Sequence, residues 1–393
     1  MTDVELAARP TFFVDGGHSL HRWLGEARAE KPVFFDEAAQ AWRVLRYDDA
    51  VHVLSEWKVF SNDMLRAIPQ QEMVEGNFGV MDPPLHRHYR DYLASSFTRG
   101  ALADLRTGIA ARITAAFDRA GTDGMDIVEQ LAYPLPMDVI DDLFGIPDAD
   151  RDIMRRYADG QLSLTSENPM ADDIVKARDA TTRELNDYLR HLFERRRGEP
   201  GADLISRLVT TEVDGQRLTE KELLTLVTVL LGAGHVTTMG LLSNVFVCLT
   251  ENPELLGALR ADRSLIAGAV EEVMRVRPPV PDSGRITNHE VTLRDQRLGA
   301  NQMILISLLS ANRDERQFPD PDRFDPTRSP NRQLAFSHGI HFCLGAHLAR
   351  LEAQILLEIV AERFRAVTET ATEWPEHFGL TAPRRLVVAL EPA

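Results

Sequence analysis

The stretch Leu223–Thr250 contains no Asp, Glu, Lys or Arg, and it constrains the fold more than any other feature of the sequence. The run is long enough to cross a lipid bilayer as one helix. It also contains Gly234, Ser243 and Asn244, and the sequence has no second run of this kind. The buried central helix of a large soluble protein has the same composition. We therefore predict a long helix at the centre of the molecule and no membrane span.

The overall composition excludes several classes of protein. The chain has 393 residues and a formal net charge of −16, from 60 acidic and 44 basic side chains. A protein this acidic binds nucleic acids and anionic membranes poorly. Its two cysteines cannot form a disulfide framework, which favours a reducing compartment. Met1–Pro10 is polar and lacks the apolar core of a signal peptide, so we expect a cytoplasmic protein.

A second constraint is the string Phe336–Gly345, which reads Phe-Ser-His-Gly-Ile-His-Phe-Cys-Leu-Gly. Apolar residues recur after it at helical spacing, at Leu344, Leu348, Leu351, Ile355 and Ile359. This pattern places Cys343 at the end of a loop and at the N-terminus of a helix. The helix dipole there favours an anion, so we predict a lowered pKa for the thiol.

The residues alone leave three interpretations of Cys343. The thiol can be a buried small side chain, which is the commonest state of a cytosolic cysteine. It can bind zinc together with His338, His341 and His347, although this spacing fits no familiar zinc finger. It can also be the thiolate ligand of a haem iron, because a thiolate on a rigid loop suits a soft metal centre.

The string resembles the haem-binding loop of the cytochrome P450 family, Phe-x-x-Gly-x-His-x-Cys-x-Gly. Ser337 departs mildly from that pattern, because many bacterial members carry Gly there. The resemblance implies that Cys343 is the metal ligand of haem b (iron-protoporphyrin IX), with Phe336 and Gly345 beside the cofactor. It also implies a mainly α fold with small β-sheets, in which residues 1–393 form a single triangular haem domain around a long central helix.

His86 and Arg90 are four residues apart on a helix predicted to follow Pro83 and Pro84, so their side chains share one face. Such a pair suits a ligand that carries a carboxylate, or it forms an exposed basic patch. The segment is similar to the cytochrome P450 helix whose His and Arg bind the haem propionates. The resemblance gives the same role to Arg285 and His341.

The middle of the uncharged helix reads Ala-Gly-His-Val-Thr-Thr over Ala233–Thr238. Small residues there form a packing notch or let another group approach the backbone. The motif is similar to the one that lies over the haem in the family, where dioxygen binds. By this resemblance the catalytic residues are Ala233, Gly234, His235 and Thr237. Val236 replaces the acid that usually delivers protons, so we predict that His235, a water molecule or a substrate hydroxyl takes over.

Glu272 and Arg275 lie one turn apart on a helix predicted over Ser264–Arg277. A surface ion pair at this spacing is common and contributes little to stability. In the family, the matching Glu-x-x-Arg is a buried structural pair on the cysteine side of the haem. The resemblance therefore predicts a buried pair here.

The remaining sequence predicts a β-hairpin, amphipathic helices and a group of C-terminal strands. The predicted segments are hairpin strands Pro32–Asp36 and Ala41–Tyr47, a helix from Asp48, helices Leu102–Ala120, Asp126–Phe144 (interrupted at Tyr133–Pro136), Asp150–Leu164 and Ala171–Arg197, a capping box at Thr219–Glu222, and strands within Val291–Ser307 and at Leu386–Leu390. The resemblance implies a mobile lid made of the helices on either side of Ser166–Met170.

The resemblance implies a monooxygenase that uses dioxygen to hydroxylate or epoxidise an apolar small molecule, in polyketide, macrolide or peptide biosynthesis. The expected pocket residues are Leu230, Leu241, Val280 and Leu380, together with residues of Ser61–Met81. Because the usual acid is missing, the alternatives are peroxide-driven oxidation, oxidative coupling, or a non-catalytic haem- or zinc-binding module.

No flavin- or nicotinamide-binding fingerprint follows a predicted strand, so the electrons must come from another protein. The resemblance implies a ferredoxin and a ferredoxin reductase. Ferredoxins are acidic, and Arg332 and Arg350 are the candidates for a basic patch that binds them. We expect a monomer, with a substrate that is either free or bound to a carrier protein.

Overall fold

The computed structural model describes residues 9–10, 15–67, 76–120, 124–162, 171–375 and 379–393. Most of these residues lie in helices, as predicted. The helices are α1 (His18–Glu30), α2 (Tyr47–Ser55), α3 (Leu85–Leu93), α4 (Arg99–Leu102), α5 (Leu105–Arg119), α6 (Pro134–Phe144), α7 (Arg151–Leu162), α8 (Asp172–Gly198), α9 (Leu204–Thr210), α10 (Glu220–Glu251), α11 (Pro253–Ala261), α12 (Leu265–Val276), α13 (Leu308–Ala311) and α14 (Ala346–Arg363).

The strands form three small sheets. They are β1 (Val33–Asp36), β2 (Ala41–Val44), β3 (Phe60–Ser61), β4 (Met125–Asp126), β5 (Asp282–Thr287), β6 (Val291–Leu293), β7 (Gln296–Leu298), β8 (Met303–Ser307), β9 (Phe364–Glu373) and β10 (Arg385–Pro392). The largest sheet has the order β1-β2-β8-β5-β3, the second the order β4-β10-β9, and β6 pairs with β7. Antiparallel pairing of β5 with β8 sets Arg285 opposite Ile304.

Helix α10 is the predicted central helix. Its start is fixed by the predicted capping box, in which Glu222 N donates to Thr219 Oγ1 (3.3 Å) and Thr219 N donates to Glu222 Oε2 (2.7 Å). The helix has the length and composition of a membrane span. However, α6, α7, α12 and α14 pack around it, and its polar Ser243 and Asn244 are fully buried within the protein. The position of α10 is that of a core helix.

Most predicted boundaries agree with the structure to within a few residues. The predicted helix Asp126–Phe144 is interrupted where it was expected, because a π-helix (Val128–Ala132) leads to Tyr133 and α6 then begins at Pro134. Proline is tolerated in the first helical turn, where its missing N–H has no intrahelical partner. The lid joint predicted at Ser166–Met170 lies outside the described residues.

Candidate active site

The cysteine loop (residues 336–345) is held in a fixed position below the central cavity. Cys343 N donates to Phe336 O (2.9 Å), which closes the loop, and α14 begins directly after Gly345. Gly339 has a φ of +72°, and a Cβ at this position would lie 2.9 Å from Leu54 O at the end of α2. Only glycine allows both the backbone angle and this close approach.

Cys343 lines the cavity and is exposed to it. Burial raises the pKa of the Cys343 thiol, and the N–H groups of Gly345 and Ala346 and the guanidinium groups of Arg90 and Arg350 oppose this rise. The predicted lowering of the pKa by the helix N-terminus is therefore wrong for the protein alone, since the loss of solvation outweighs the dipole. A metal cation bound to the sulfur would supply the missing compensation.

Two histidines from distant parts of the chain meet at one wall of the cavity. The ring centroids of His86 and His341 are 4.2 Å apart. Burial, followed by the charge of Arg90, lowers the pKa of His86 to about 4. Burial, then His86, Arg285 and Arg90, lowers the pKa of His341 to about 3. Both rings are therefore neutral at pH 7, in a neighbourhood that already holds positive charge.

This wall has hydrogen-bond donors without acceptors among the described residues. His86 Nε2, His341 Nε2 and Arg285 Nη2 are buried and have no partner there. Burial lowers the pKa of Arg285 to about 10, with Asp82 opposing. Arg90 also faces the cavity and donates to Phe342 O (2.7 Å). A ligand with carboxylate groups at this wall would satisfy the donors and the positive charge together, as the haem propionates do.

Helix α10 forms the opposite wall with Ala233, Gly234 and Thr237. Thr237 Oγ1 donates to Ala233 O (2.7 Å), so the hydroxyl oxygen can still accept a hydrogen bond from the cavity. A Cβ on Gly234 would lie 2.8 Å from Ile140 Cδ1 of α6. Gly234 is therefore a packing notch as well as a part of the cavity wall.

The structure places His235 away from the cavity. Its ring is fully buried, its Nε2 lies 2.9 Å from Tyr133 O, and its ring packs edge-on against that of Tyr133 at 4.8 Å. It does not line the cavity, and Val236 packs against the hydrophobic core. The prediction that His235 delivers protons is wrong in this geometry, because the helix turns the side chain towards α6 and not towards the cavity.

The cavity has a volume of about 500 Å³ and a mostly apolar lining. Leu230, Leu241 and Val280 line it as predicted, as do residues of the predicted loop Ser61–Met81. Leu380 does not line it and packs against the core. Three further lining residues on α6 were not predicted: Ile140, Leu143 and Phe144. Their i, i+3, i+4 spacing places them on one face of the helix and could have indicated a shared contact.

Glu272 and Arg275 form a fully buried, two-pronged ion pair, with both N–O distances at 2.7 Å. Arg275 also donates to backbone carbonyls, including Pro321 O (2.6 Å). Glu272 Oε1 accepts a further bond from Arg328 Nε at 3.1 Å. The pair therefore ties α12 to the segment that precedes the cysteine loop, and Arg328 is a member that sequence reasoning did not find.

Arg350 is engaged at the cysteine loop. Its guanidinium group lies over the ring of Phe336 at 4.4 Å and pairs with Glu271 (Nε–Oε1 2.5 Å). Its charge is thus compensated, which weakens it as a site for an acidic partner. Within the described ranges, no group of three or more His, Cys, Asp or Glu side chains is arranged to hold a metal ion. The zinc site predicted as one interpretation of Cys343 is not formed.

The family model described as cytochrome P450 matches residues 38–388. The chain belongs to the cytochrome P450 family. It is 42% identical over 98% of its length to the cyclomarin C epoxidase CymV of Salinispora arenicola, of which 99% is covered. It is 37% identical to the erythromycin C-12 hydroxylase of Saccharopolyspora erythraea, over 89% of this chain and 88% of the relative. The ligand-free structure of cytochrome P450 TbtJ1 superposes with a TM-score of 0.90 at 37% identity, over 97% of this chain and 100% of the other.

A cytochrome P450 uses haem as its cofactor and an external electron donor to insert an atom of dioxygen into a small molecule. The residues of this chain fit that cofactor on two sides. One side is Cys343, which lines the cavity. The other is a group of unpartnered donors, in which Arg285 and His341 line the cavity and His86 contacts His341. These donors are where the propionates would bind.

Proposed function

We propose that this cytochrome P450 hydroxylates or epoxidises a macrolide or peptide natural product in the cytoplasm. The observation that carries the proposal is one apolar cavity shared by the sulfur of Cys343 and the hydroxyl-bearing wall of α10. Support for the substrate class comes from relatives at 42% and 37% identity, which are named for an epoxidation of cyclomarin C and a hydroxylation of erythromycin.

The side chains have separate roles in this proposal. Haem, when bound, supplies the oxidising chemistry that attacks an unactivated C–H or C=C bond. Cys343 would hold the iron through its thiolate, which would supply electron density to it. His86, Arg90, Arg285 and His341 hold the propionates by charge-assisted hydrogen bonds and thereby set the orientation of the ring. The apolar lining excludes water and positions the substrate.

Proton delivery in this protein differs from the usual scheme. Val236 cannot carry a proton, and His235 faces α6. Thr237 Oγ1 is a polar group of the motif that can accept and pass a hydrogen bond at the cavity. We propose that an ordered water or a substrate hydroxyl delivers the proton to Thr237. The same observation favours a second candidate function, a peroxide-driven oxidation or oxidative coupling that needs no relay.

The proposed electron donor is a ferredoxin with its reductase. Arg350 is neutralised by Glu271, whereas Arg332 is exposed and forms no ion pair with the described residues. Arg332 is thus the better candidate for contact with an acidic donor. The protein acts as a monomer, organised as one haem domain over residues 1–393, on a substrate that is free or attached to a carrier protein.

The deciding experiment replaces Cys343 by Ser, with Cys248→Ser as the matched control because Cys248 is the buried thiol of α10. We expect Cys248→Ser to keep the strongly red-shifted Soret band of the reduced, carbon monoxide-bound protein. Cys343→Ser should lose this band together with turnover. An unchanged spectrum and turnover in Cys343→Ser would contradict the proposal, and so would a protein that binds no haem.

The substrate class is tested separately on the wild-type protein. A panel of macrolides, cyclic peptides, steroids and fatty acids is screened for the low-spin to high-spin shift on binding. The proposal expects the tightest shifts among macrolides or cyclic peptides. Tighter binding of fatty acids or steroids would contradict it. Turnover supported by hydrogen peroxide but not by ferredoxin would identify the second candidate function.

A further inference from the structure

Ser337 has an unfavourable backbone conformation for its residue type. Its φ is +64°, in the left-handed region that glycine adopts freely and that a side chain with a Cβ disfavours. Its peptide group is otherwise well accommodated, since Ser337 N donates to Leu334 O at 2.8 Å. The cysteine loop therefore accepts a backbone cost at Ser337 that a glycine would remove.

The hydroxyl group of Ser337 adds a second cost. Ser337 lines the cavity, and its Oγ is buried without a hydrogen-bond partner among the described residues. A buried hydroxyl that makes no hydrogen bond loses its interaction with water and gains nothing in return. Backbone strain and an unsatisfied hydroxyl at one residue indicate that the hydroxyl has a partner that the protein itself does not supply.

The other unpartnered groups at this cavity show what kind of partner is needed. His86 Nε2, His341 Nε2 and Arg285 Nη2 are also buried and unpartnered, and two of these three side chains belong to residues that line the same cavity. Two acceptors of cavity residues, Asn62 Oδ1 and Asp282 Oδ1, are unpartnered as well, while Asp282 Oδ2 pairs with Arg43 at 2.8 Å. No hydrogen bond joins Ser337 Oγ to either of these acceptors, and its own loop contributes the unpartnered His341 Nε2, so we look for the acceptor of Ser337 on the molecule that occupies the cavity.

We propose that Ser337 Oγ is an additional cofactor-positioning residue that donates a hydrogen bond to a propionate carboxylate of the haem. The sulfur of Cys343, in the same loop, is the alternative acceptor for Ser337 Oγ. It already receives backbone N–H groups from Gly345 and Ala346, and no hydrogen bond joins it to Ser337. The proposal depends on haem binding and is independent of the substrate.

Three variants of the haem-loaded enzyme separate this role from a defect of the loop. Ser337→Ala keeps the unfavourable backbone conformation and removes the hydroxyl. Ser337→Gly removes both, and it is the variant that the loop accommodates best. Ser337→Asn tolerates the left-handed conformation and restores a donor.

The first measurement is the rate of haem transfer to apomyoglobin, and the second is the resonance Raman spectrum of the bound haem. We expect Ser337→Ala and Ser337→Gly to lose haem at least about fivefold faster, the scale of one charge-assisted hydrogen bond. Both should also shift the propionate bending band and leave the iron–sulfur stretching band unchanged. Ser337→Asn should lie closer to the wild type.

Two results would overturn the proposal. In the first, Ser337→Ala retains haem as the wild type does and its propionate band is unshifted, while Ser337→Gly only raises the melting temperature. Ser337 would then be a strained position whose hydroxyl binds no ligand. The other is a shift of the iron–sulfur band with an unshifted propionate band, which would make the sulfur the acceptor.

Discussion

Individual side chains at the cavity show how little of the usual proton-delivery machinery this protein has. The Thr237 hydroxyl faces the cavity and is oriented by its bond to Ala233 O (2.7 Å). The neighbouring Val236 is apolar, and His235 is directed at Tyr133 O. The helix turn around Thr237 therefore carries no side-chain acid.

The prediction at this scale concerns Thr237→Ala. Removing the hydroxyl should divert the electrons from product to hydrogen peroxide, and we expect product formed per NADPH to fall roughly tenfold, the scale of a positioned proton-transfer group. Product and peroxide yields with a ferredoxin system measure the effect. Thr237→Ser is the matched control, because it keeps the hydroxyl and should keep most of the coupling. Equal coupling in Thr237→Ala and the wild type would show that the hydroxyl has no part in proton delivery.

Single residues also show the limit of sequence reasoning at the site. The cysteine loop and the motif of α10 are local patterns, and the sequence alone located both. The meeting of His86 with His341 was implied by family resemblance, because a separation of this length along the chain carries no local signal. The direction of His235, the position of Leu380 and the pairing of Arg350 with Glu271 depend on tertiary packing, and all three differ from expectation.

Helix α14 continues from the cysteine loop into the core and buries an acid on the way. Its residues Gly345, Leu348 and Ala349 face the cavity, and Glu352 lies on the same face one turn further on. Glu352 is buried, and its Oε2 has no hydrogen-bond partner in the described part of the chain. Burial raises the pKa of Glu352 from 4.5 to about 8. The carboxyl group is thus neutral in the folded protein at pH 7.

Glu352 should make the stability of the protein fall as the pH rises. The unfolded chain releases this proton near pH 4.5, whereas the folded chain holds it up to about pH 8, so the wild type loses stability across that window. Glu352→Gln removes this loss. Between pH 4.5 and pH 7, we expect the free energy of unfolding of the wild type to fall by roughly 2–4 kcal/mol relative to that of the variant. Urea unfolding at several pH values measures this.

Glu362→Gln is the control for this prediction, because Glu362 is an exposed glutamate of the same helix. It should leave the pH dependence of unfolding unchanged. If Glu352→Gln shows the same slope with pH as the wild type, then Glu352 is ionised in the folded protein and has a partner.

The helices themselves were largely predictable, because their periodicity and caps are local properties of the sequence. The capping box of α10 and the stop of α12 before Pro278 lie where they were expected. The π-helix before α6 was not predicted. It leads to Tyr133, whose ring contacts that of His235, and no local sequence pattern reports that contact.

The whole molecule carries a charge of −16, which repels an acidic electron donor at long range. Contact with such a donor needs a local positive group that is not compensated by a neighbour. Arg332 meets this condition, since it is exposed, it lies shortly before the cysteine loop, and it has no ion pair with any described residue.

Arg332→Glu should raise the KM for an acidic ferredoxin several-fold at low ionic strength, because it adds a negative charge at the contact. The effect should decrease as salt is added, since salt screens exposed charges beyond about 8 Å at physiological ionic strength. Steady-state reduction at increasing salt concentrations measures it. Arg22→Glu on α1 is an exposed control with the same charge change. An equal effect of both substitutions would assign the change to the net charge and not to Arg332.

The two cysteines of the chain occupy opposite environments. Cys248 is sealed inside α10 and its neighbours, whereas the sulfur of Cys343 opens onto the cavity. In the folded chain, an alkylating reagent can therefore reach one sulfur, that of Cys343, when the iron is missing, and it reaches neither sulfur when iron is bound to Cys343. Only molecules without the cofactor gain the mass of the reagent. The intact mass after alkylation therefore measures the fraction of molecules that carry the cofactor, independently of colour and turnover.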